Sequence, residues 1–76
     1  MKELVDYLVK SLVDKPDEVS IAEIKSAKSL ILELKVAPED VGKVIGKQGR
    51  IINAIRTIIN AATIKSHRRV VLEILD

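Results

Sequence analysis

Cysteine is absent from this sequence of 76 residues, so disulfide bridges and thiolate metal sites are excluded. Phenylalanine and tryptophan are absent too, and Tyr7 is the one aromatic residue. Domains that stack nucleic-acid bases on aromatic platforms, such as the RRM and OB types, are therefore excluded. Glycine and proline are scarce, with three and two copies, while 47% of the residues are hydrophobic. This composition predicts a folded chain rather than a disordered one.

Long apolar runs are also missing. No stretch approaches the ~20 apolar residues that a membrane-spanning helix needs. Residues 1–6 contain two acidic residues where a secretory signal peptide would need an apolar run. Together with the lack of cysteine, these features predict a cytoplasmic protein without membrane association. A chain of this length buries only about 60% of its unfolded surface, so we expect one small domain over residues 1–76.

Acidic residues are missing from the middle of the chain. Residues 1–40 contain six lysines against nine acidic residues, whereas residues 41–70 contain seven basic residues and no acidic one. The basic residues of this block are Lys43, Lys47, Arg50, Arg56, Lys65, Arg68 and Arg69. Thirty consecutive residues with one sign of charge favour a surface that faces a polyanion. A solvated charged face is the alternative.

The first half of the chain predicts one helix and two strands. Its early apolar residues recur at helical spacing, at Leu4, Val5, Leu8, Val9, Leu12 and Val13. They predict an amphipathic helix over residues 2–13, which Pro16 ends because proline disfavours a helical conformation at the residue before it. β-branched residues predict a strand within 19–27, and clean alternation predicts another over 30–36. The short link at 26–29 predicts a hairpin between them.

The second half predicts two helices and a last strand. Pro38 suits the first turn of a short helix that ends near Ile45, and acidic residues 39–40 lie where the helix dipole favours negative charge. Isoleucines at helical spacing predict a longer helix over about 50–62. Alternating apolar residues predict a strand over 70–74. The order helix, strand, strand, helix, helix, strand indicates an α+β fold.

The two helices of the second half are joined by Gly46-Lys47-Gln48-Gly49. Gly46 can end the first helix with a positive φ, and Gly49 leaves no Cβ to obstruct a phosphate that approaches the amides of the next helix. Lys47 adds a point charge, Gln48 adds amide donors and Arg50 follows directly. These residue types predict a phosphate-binding turn. An ordinary helical hairpin turn is the alternative, because such turns often contain glycine.

The stretch Gly42-x-Val44-Ile45-Gly46-Lys47-Gln48-Gly49-x-Ile51 resembles KH domains, and the whole chain resembles the KhpA (YlqC) family of small bacterial single-KH RNA-binding proteins. This resemblance implies a type II KH domain, a three-stranded sheet with three helices packed on one face. It also implies that the GxxG loop clamps the backbone of about four unpaired nucleotides. The implied RNA-binding residues are Gly42, Lys43, Val44, Ile45, Gly46, Lys47, Gln48, Gly49, Arg50, Ile51 and Ile52.

The same resemblance implies an apolar base-binding groove walled by Ile51, Ile52 and Ile55, although we expect Ile55, Ile58 and Ile59 to lie mainly in the core. Because aromatics are lacking, we expect broad sequence specificity and binding that weakens as salt rises. The family implies a post-transcriptional regulator or RNA chaperone, with links to cell shape and division. It further implies a homodimer, or a heterodimer with a larger KH protein of the KhpB (Jag, EloR) type.

Three other functions are weighed against this one. A protein-interaction module would use Ile31, Val71 and Leu75, which we expect to face away from the helices. A helix-turn-helix DNA reader needs a polar second helix, but this one offers only Asn53, Arg56, Thr57 and Asn60 on a mostly apolar cylinder. A P-loop needs GxxxxGK[ST], and Gln48 stands where its Ser or Thr should be. The single histidine, His67, lies among basic residues, so we expect no enzyme, metal, cofactor or small-molecule substrate.

Overall fold

The spacing of apolar residues along the chain produces three helices and three strands in the predicted order. The computed structural model describes residues 1–64 and 68–75. Its elements are α1 (Lys2–Lys10), β1 (Ser20–Lys25), β2 (Ser29–Lys35), α2 (Val41–Ile45), α3 (Arg50–Ala62) and β3 (Arg69–Leu75). Short 3-10 turns occupy Pro16–Glu18, Pro38–Asp40 and Lys47–Gly49. The predicted α+β class and type II KH order are confirmed.

The sheet has the order β1-β2-β3, with β1 antiparallel to β2 and β2 parallel to β3. The first pair is a tight hairpin, closed by a hydrogen bond of 2.9 Å from Ser26 N to Ser29 O. The predicted hairpin is therefore confirmed. A parallel pair requires a long crossover connection, and the segment that carries α2 and α3 supplies it. This crossover places α3 beside the edge strand β3.

The core lies between one face of the sheet and the three helices. In β2, the side chains of Leu30, Leu32 and Leu34 are buried, while Ile31 and Glu33 on the other face are half-buried. The helices contribute the buried residues Val5, Val9, Val44, Ile52, Ile55 and Ile59. Burying a side chain of this size contributes about 1.5–3 kcal/mol. All buried β2 residues share one face, as expected for helices on one side only.

Helix α1 ends at Lys10 rather than at residue 13, so the predicted end is wrong by one turn. Both the N–H and the hydroxyl of Ser11 donate to Tyr7 O, and Leu12 N donates to Val9 O. The Ser11 hydroxyl shares the Tyr7 carbonyl with the backbone N–H, and the i→i−3 bond of Leu12 tightens the chain, so the regular helix ends here. Val13 still packs against the core from the loop.

Ile58 is 42% exposed, which contradicts its predicted place in the core, whereas Ile55 and Ile59 are buried as expected. The buried stripe of α3 consists of Ile52, Ile55 and Ile59. Successive helix residues are rotated by about 100°, so Ile58 lies at the flank of this stripe. Helical spacing alone did not show how wide the buried stripe would be.

Candidate nucleic-acid interface

The turn between α2 and α3, residues Gly46–Gly49, joins the two helices within four residues and is called the glycine turn below. Three of its residues have positive φ: Gly46 (φ 77°, ψ 171°), Gln48 (φ 58°, ψ 26°) and Gly49 (φ 75°, ψ 14°). The predicted positive φ of Gly46 is confirmed. Gly49 N donates to Gly46 O over 3.1 Å and closes the turn. Side chains are rare in these backbone conformations, so the sequence Gly-x-x-Gly suits this shape.

The two glycines meet different surroundings. A Cβ on Gly46 would lie 2.6 Å from Ile51 Cγ1 and 2.9 Å from Ile51 N, so Ile51 already occupies the space that a side chain at position 46 would need. A Cβ on Gly49 would be 3.5 Å from Asn53 Nδ2, an ordinary contact. Gly46 is therefore required by both φ and packing. Gly49 is favoured by its positive φ. On the sequence alone, this glycine was explained only by the approach of a phosphate.

Helix α3 begins at Arg50, directly after the glycine turn. The first amides of a helix have no intrahelical acceptor, and they carry the positive end of the helix dipole. Gly49 has no side chain to cover them. The side chains of Lys47, Gln48 and Arg50 are exposed around this helix start. Arg50 N donates to Lys47 O within the turn, so the arrangement offers the amides that follow it and two exposed cations to an anion.

Lys43, another predicted RNA contact, is held by carboxylates. Its Nζ lies 3.1 Å from Asp14 Oδ2 and 3.4 Å from Asp40 Oδ1. Its hydrogen bonds to Asp14 and Asp40 raise the pKa of Lys43 above its usual value. Two carboxylates of the protein thus already pair with the Lys43 ammonium group, whereas Lys47 and Arg50 appear in none of the ion pairs among the described residues.

Asp40 is the residue that sequence reasoning misplaced most. Its side chain is only 1% exposed and accepts hydrogen bonds from Asp14 N (3.2 Å) and Lys15 N (2.9 Å), and it does not cap α2. Burial raises the pKa of Asp40, but these two amides and Lys43 outweigh that effect and hold it below its usual value. Asp40 therefore ties the loop after α1 to the helix that leads into the glycine turn. Lys15 pairs with the neighbouring Glu39.

The aliphatic residues around the glycine turn divide into two groups. Val44 and Ile52 are buried in the core, with 0% and 5% exposure. Ile45 and Ile51 are half-buried and pack against the core from its edge. Gly42 is exposed, and no described atom lies within 4 Å of a Cβ placed on it. Only Ile45 and Ile51 therefore combine apolar character with access from outside.

A groove of about 570 Å³ lies between α3 and the edge strand β3 and is called the α3–β3 groove below. Arg56 and Asn60 of α3 and Thr63, which follows the helix directly, line it at helical spacing, and Arg68 and Arg69 line its other side. Arg56 Nη2 donates to Leu72 O over 3.2 Å, and Arg56 Nη1 donates to Asn53 Oδ1 over 3.4 Å. Asn53 in turn lies next to Gly49. The groove thus begins at Arg56, and the Asn53 side chain lies between it and the glycine turn.

Sequence reasoning treated the polar residues of α3 as evidence for or against a DNA-reading helix and missed their groove. The spacing of Asn53, Arg56 and Asn60 at i, i+3 and i+7 was the available signal.

Lys65 and His67, which we expected near the basic surface, lie outside the described residues. Within residues 1–64 and 68–75 there is no cluster of three metal-ligating side chains. In the same ranges no helix has the length and apolarity to cross a membrane.

The family model and the relatives that match this chain all point to one family. Residues 2–74 match the family model described as KhpA/KhpB, KH domain. The chain is 63% identical to a protein of Clostridium acetobutylicum and 61% identical to one of Clostridium perfringens, in each case over 99% of this chain and 100% of the relative. It is 58% identical to a protein of Borreliella burgdorferi, over 97% of this chain and 90% of the relative. All three relatives are named RNA-binding protein KhpA. No solved structure gives a significant match.

Proposed function

Because the chain belongs to the KhpA/KhpB family of KH domains, we propose that it binds single-stranded RNA and that the glycine turn clamps the RNA backbone. KH domains in general hold about four nucleotides in this way. The family is one of RNA-binding domains and not of enzymes, in agreement with our expectation from the sequence. The relatives' printed name supports RNA as the ligand.

The observation that carries this proposal is the conformation of the glycine turn. Its positive φ angles bring the exposed side chains of Lys47 and Gln48 to the amino end of α3. A phosphate at this position would meet the first-turn amides of α3 that follow Arg50, the helix dipole and the charges of Lys47 and Arg50. These groups recognise the backbone and carry no base information, so they favour broad specificity.

The half-buried Ile45 and Ile51 are proposed to contact the sugar or base edges beside the clamped phosphate. Val44 and Ile52 position the turn from the core, and Gly42 leaves the exposed side of α2 without a side chain beside the turn. Lys43 acts through its ion pairs with Asp14 and Asp40, which hold α2 in place. Because no aromatic stacking is available, one domain binds with modest affinity that falls as the salt concentration rises.

The double variant Lys47→Asp with Gln48→Asp tests the clamp. Two carboxylates would meet the phosphate where donors now stand, so we expect binding of single-stranded RNA to be lost while the fold persists. Fluorescence anisotropy with a labelled RNA of about eight nucleotides, twice the length that a KH clamp holds, measures the affinity. Circular dichroism checks the fold.

Lys2→Asp with Ala27→Asp is the matched control, since it changes the net charge equally at two exposed positions outside the turn and the groove. It should retain most of the affinity. Equal affinities for the wild type and the folded turn variant would refute the clamp. Tighter binding to duplex DNA than to single-stranded RNA at the same salt would favour the helix-turn-helix alternative instead.

A second function, pairing with another protein, is supported by the sheet face that lies away from the helices. The strand register aligns Ile24, Ile31 and Val71 in one row across all three strands of this face, and Ile24 is 47% exposed. We propose that this row, with Leu75, contributes to a homodimer or to a heterodimer with a KhpB-type protein. Dimerisation would raise the effective concentration of a weak RNA-binding domain.

Sedimentation velocity over a range of protein concentrations tests the pairing. The wild type should show a concentration-dependent dimer, alone or with a KhpB-type protein, and Ile24→Lys should remain monomeric. Because the glycine turn is on the helical side, the single-domain RNA affinity of this variant should change little. A wild type that stays monomeric in both experiments would refute this second function.

A further inference from the structure

The guanidinium of Arg56 stands in the α3–β3 groove and is held there by replaceable hydrogen bonds. Its bonds to Leu72 O and Asn53 Oδ1 measure 3.2 and 3.4 Å, at or beyond the long end of the usual range for N–H···O bonds. The residue is exposed. A ligand that presents good acceptors can therefore displace these partners at little cost. Arg56 is not among the residues assigned above to the RNA backbone.

The position of Arg56 relative to the glycine turn suits a base rather than a phosphate. The Asn53 side chain lies near the turn, 3.5 Å from the position that a Cβ on Gly49 would take. Arg56 follows one helical turn after Asn53, about 10 Å from Gly49 along the helix axis. A strand clamped at the turn would lay a following base into the α3–β3 groove. The far wall of that groove is the edge strand β3, where Leu72 O faces Arg56.

We propose that Arg56 is a specificity-determining residue that selects an RNA base with two neighbouring hydrogen-bond acceptors, namely guanine or cytosine. The inference rests on the proposed RNA binding and adds a base preference to it. The guanidinium is a planar fork of donors that matches two acceptors side by side. Guanine offers O6 and N7 in this arrangement, and cytosine offers O2 and N3.

The other two bases do not match this fork. Adenine places its N6 amino donor beside N7 and beside N1, and uracil places its N3–H donor between two carbonyls. Either base would meet the guanidinium with at least one donor facing a donor. Asn60 also lines the groove, and an amide pairs well with adenine N6 and N7. A charged donor makes the stronger hydrogen bonds, so Arg56 should dominate the choice.

The test compares affinities for labelled RNAs of about eight nucleotides, twice the clamped length, at one salt concentration. The sequences are oligo(A), oligo(U), oligo(C) and alternating guanine and adenine, which avoids the quadruplexes of pure guanine. The wild type should bind the cytosine and guanine-containing RNAs about 5- to 20-fold more tightly than the other two. Arg56→Lys keeps the charge but loses the fork, and it should reduce this preference to less than about twofold.

The affinity of Arg56→Lys for oligo(U) and its salt dependence should match those of the wild type, since backbone binding does not use the fork. Lys10→Arg on α1 is the control substitution and should preserve the preference. A wild type that binds all four RNAs equally would overturn the proposal, as would a preference that survives in Arg56→Lys. An adenine preference would overturn it in favour of Asn60. A wild type that binds none of the RNAs would instead overturn the proposed function.

Discussion

Replacing Gly46 by alanine should destabilise the domain strongly, although it adds a single methyl group. The backbone at Gly46 has φ 77° and ψ 171°, a region that is almost exclusive to glycine and costs other residues about 1–3 kcal/mol. The new Cβ would also lie 2.6 Å from Ile51 Cγ1 and 2.9 Å from Ile51 N. Relieving such an overlap by moving the start of α3 costs about 1–3 kcal/mol more.

The expected loss of unfolding free energy is thus about 2–6 kcal/mol. Domains are stabilised by roughly 0.05–0.15 kcal/mol per residue, which is about 4–11 kcal/mol at this length. Gly46→Ala should therefore unfold at a much lower urea concentration, with a midpoint lower by about 2 M or more for a slope near 1 kcal/mol per M. Far-UV circular dichroism can follow this transition because it does not need tryptophan.

The other two glycines provide matched controls. Gly49 has a left-handed conformation but a Cβ there would make only ordinary contacts, so Gly49→Ala should cost about 1–2 kcal/mol. Gly42 is helical and nothing described lies within 4 Å of its Cβ position, so Gly42→Ala should stabilise by about 0.5–1 kcal/mol. A loss below about 1 kcal/mol for Gly46→Ala, or the reverse order of the three variants, would refute this reasoning.

Three further predictions concern the core, the buried acid and the two lysines. Ile59→Ala should cost about 2–5 kcal/mol but Ile58→Ala less than about 1 kcal/mol in the same urea assay, and equal costs would contradict the burial pattern. The pKa of Asp40 is lowered in the folded state, so its carboxylate stabilises the domain above the unfolded pKa near 4. This contribution is lost as the pH falls through the folded pKa, and acid should therefore lower the urea midpoint more in the wild type than in Asp40→Asn. Lys47→Ala should reduce the salt slope of RNA affinity by about 0.7 and Lys43→Ala should leave it unchanged, whereas equal reductions would show that Lys43 also contacts phosphate.

Most of the fold was predictable because it follows from local patterns. Alternating apolar residues in β2 and β3 define one buried face whatever their partners are, and helical spacing gave the bounds of α3 correctly. The end of α1 was not predicted, because it depends on the hydrogen bonds that Ser11 and Leu12 make with the carbonyls of the last helical turn. Such competition between side chain and backbone depends on geometry that residue identity alone does not specify.

The candidate site was predictable where it is continuous in sequence. The glycine turn, the exposed Lys47 and Arg50, and the start of α3 follow one another along the chain, so their residue types already implied their arrangement. Gly46 needs a positive φ because a helix ends there and another begins four residues later. Composition also excluded one kind of recognition, since a chain with one aromatic residue cannot build a platform on which several bases stack.

The tertiary structure decided which contacts Lys43 and Arg56 of the acid-free block make. Lys43 is neutralised by Asp14 and Asp40, which come from the acidic first half of the chain. Arg56 reaches Leu72 O on β3, sixteen residues away, and thereby lines a groove. These roles depend on distances between segments that only folding brings together. A run of one charge along the sequence showed that a polyanion surface was possible, but only the packed chain separates its exposed cations from those already held by the protein.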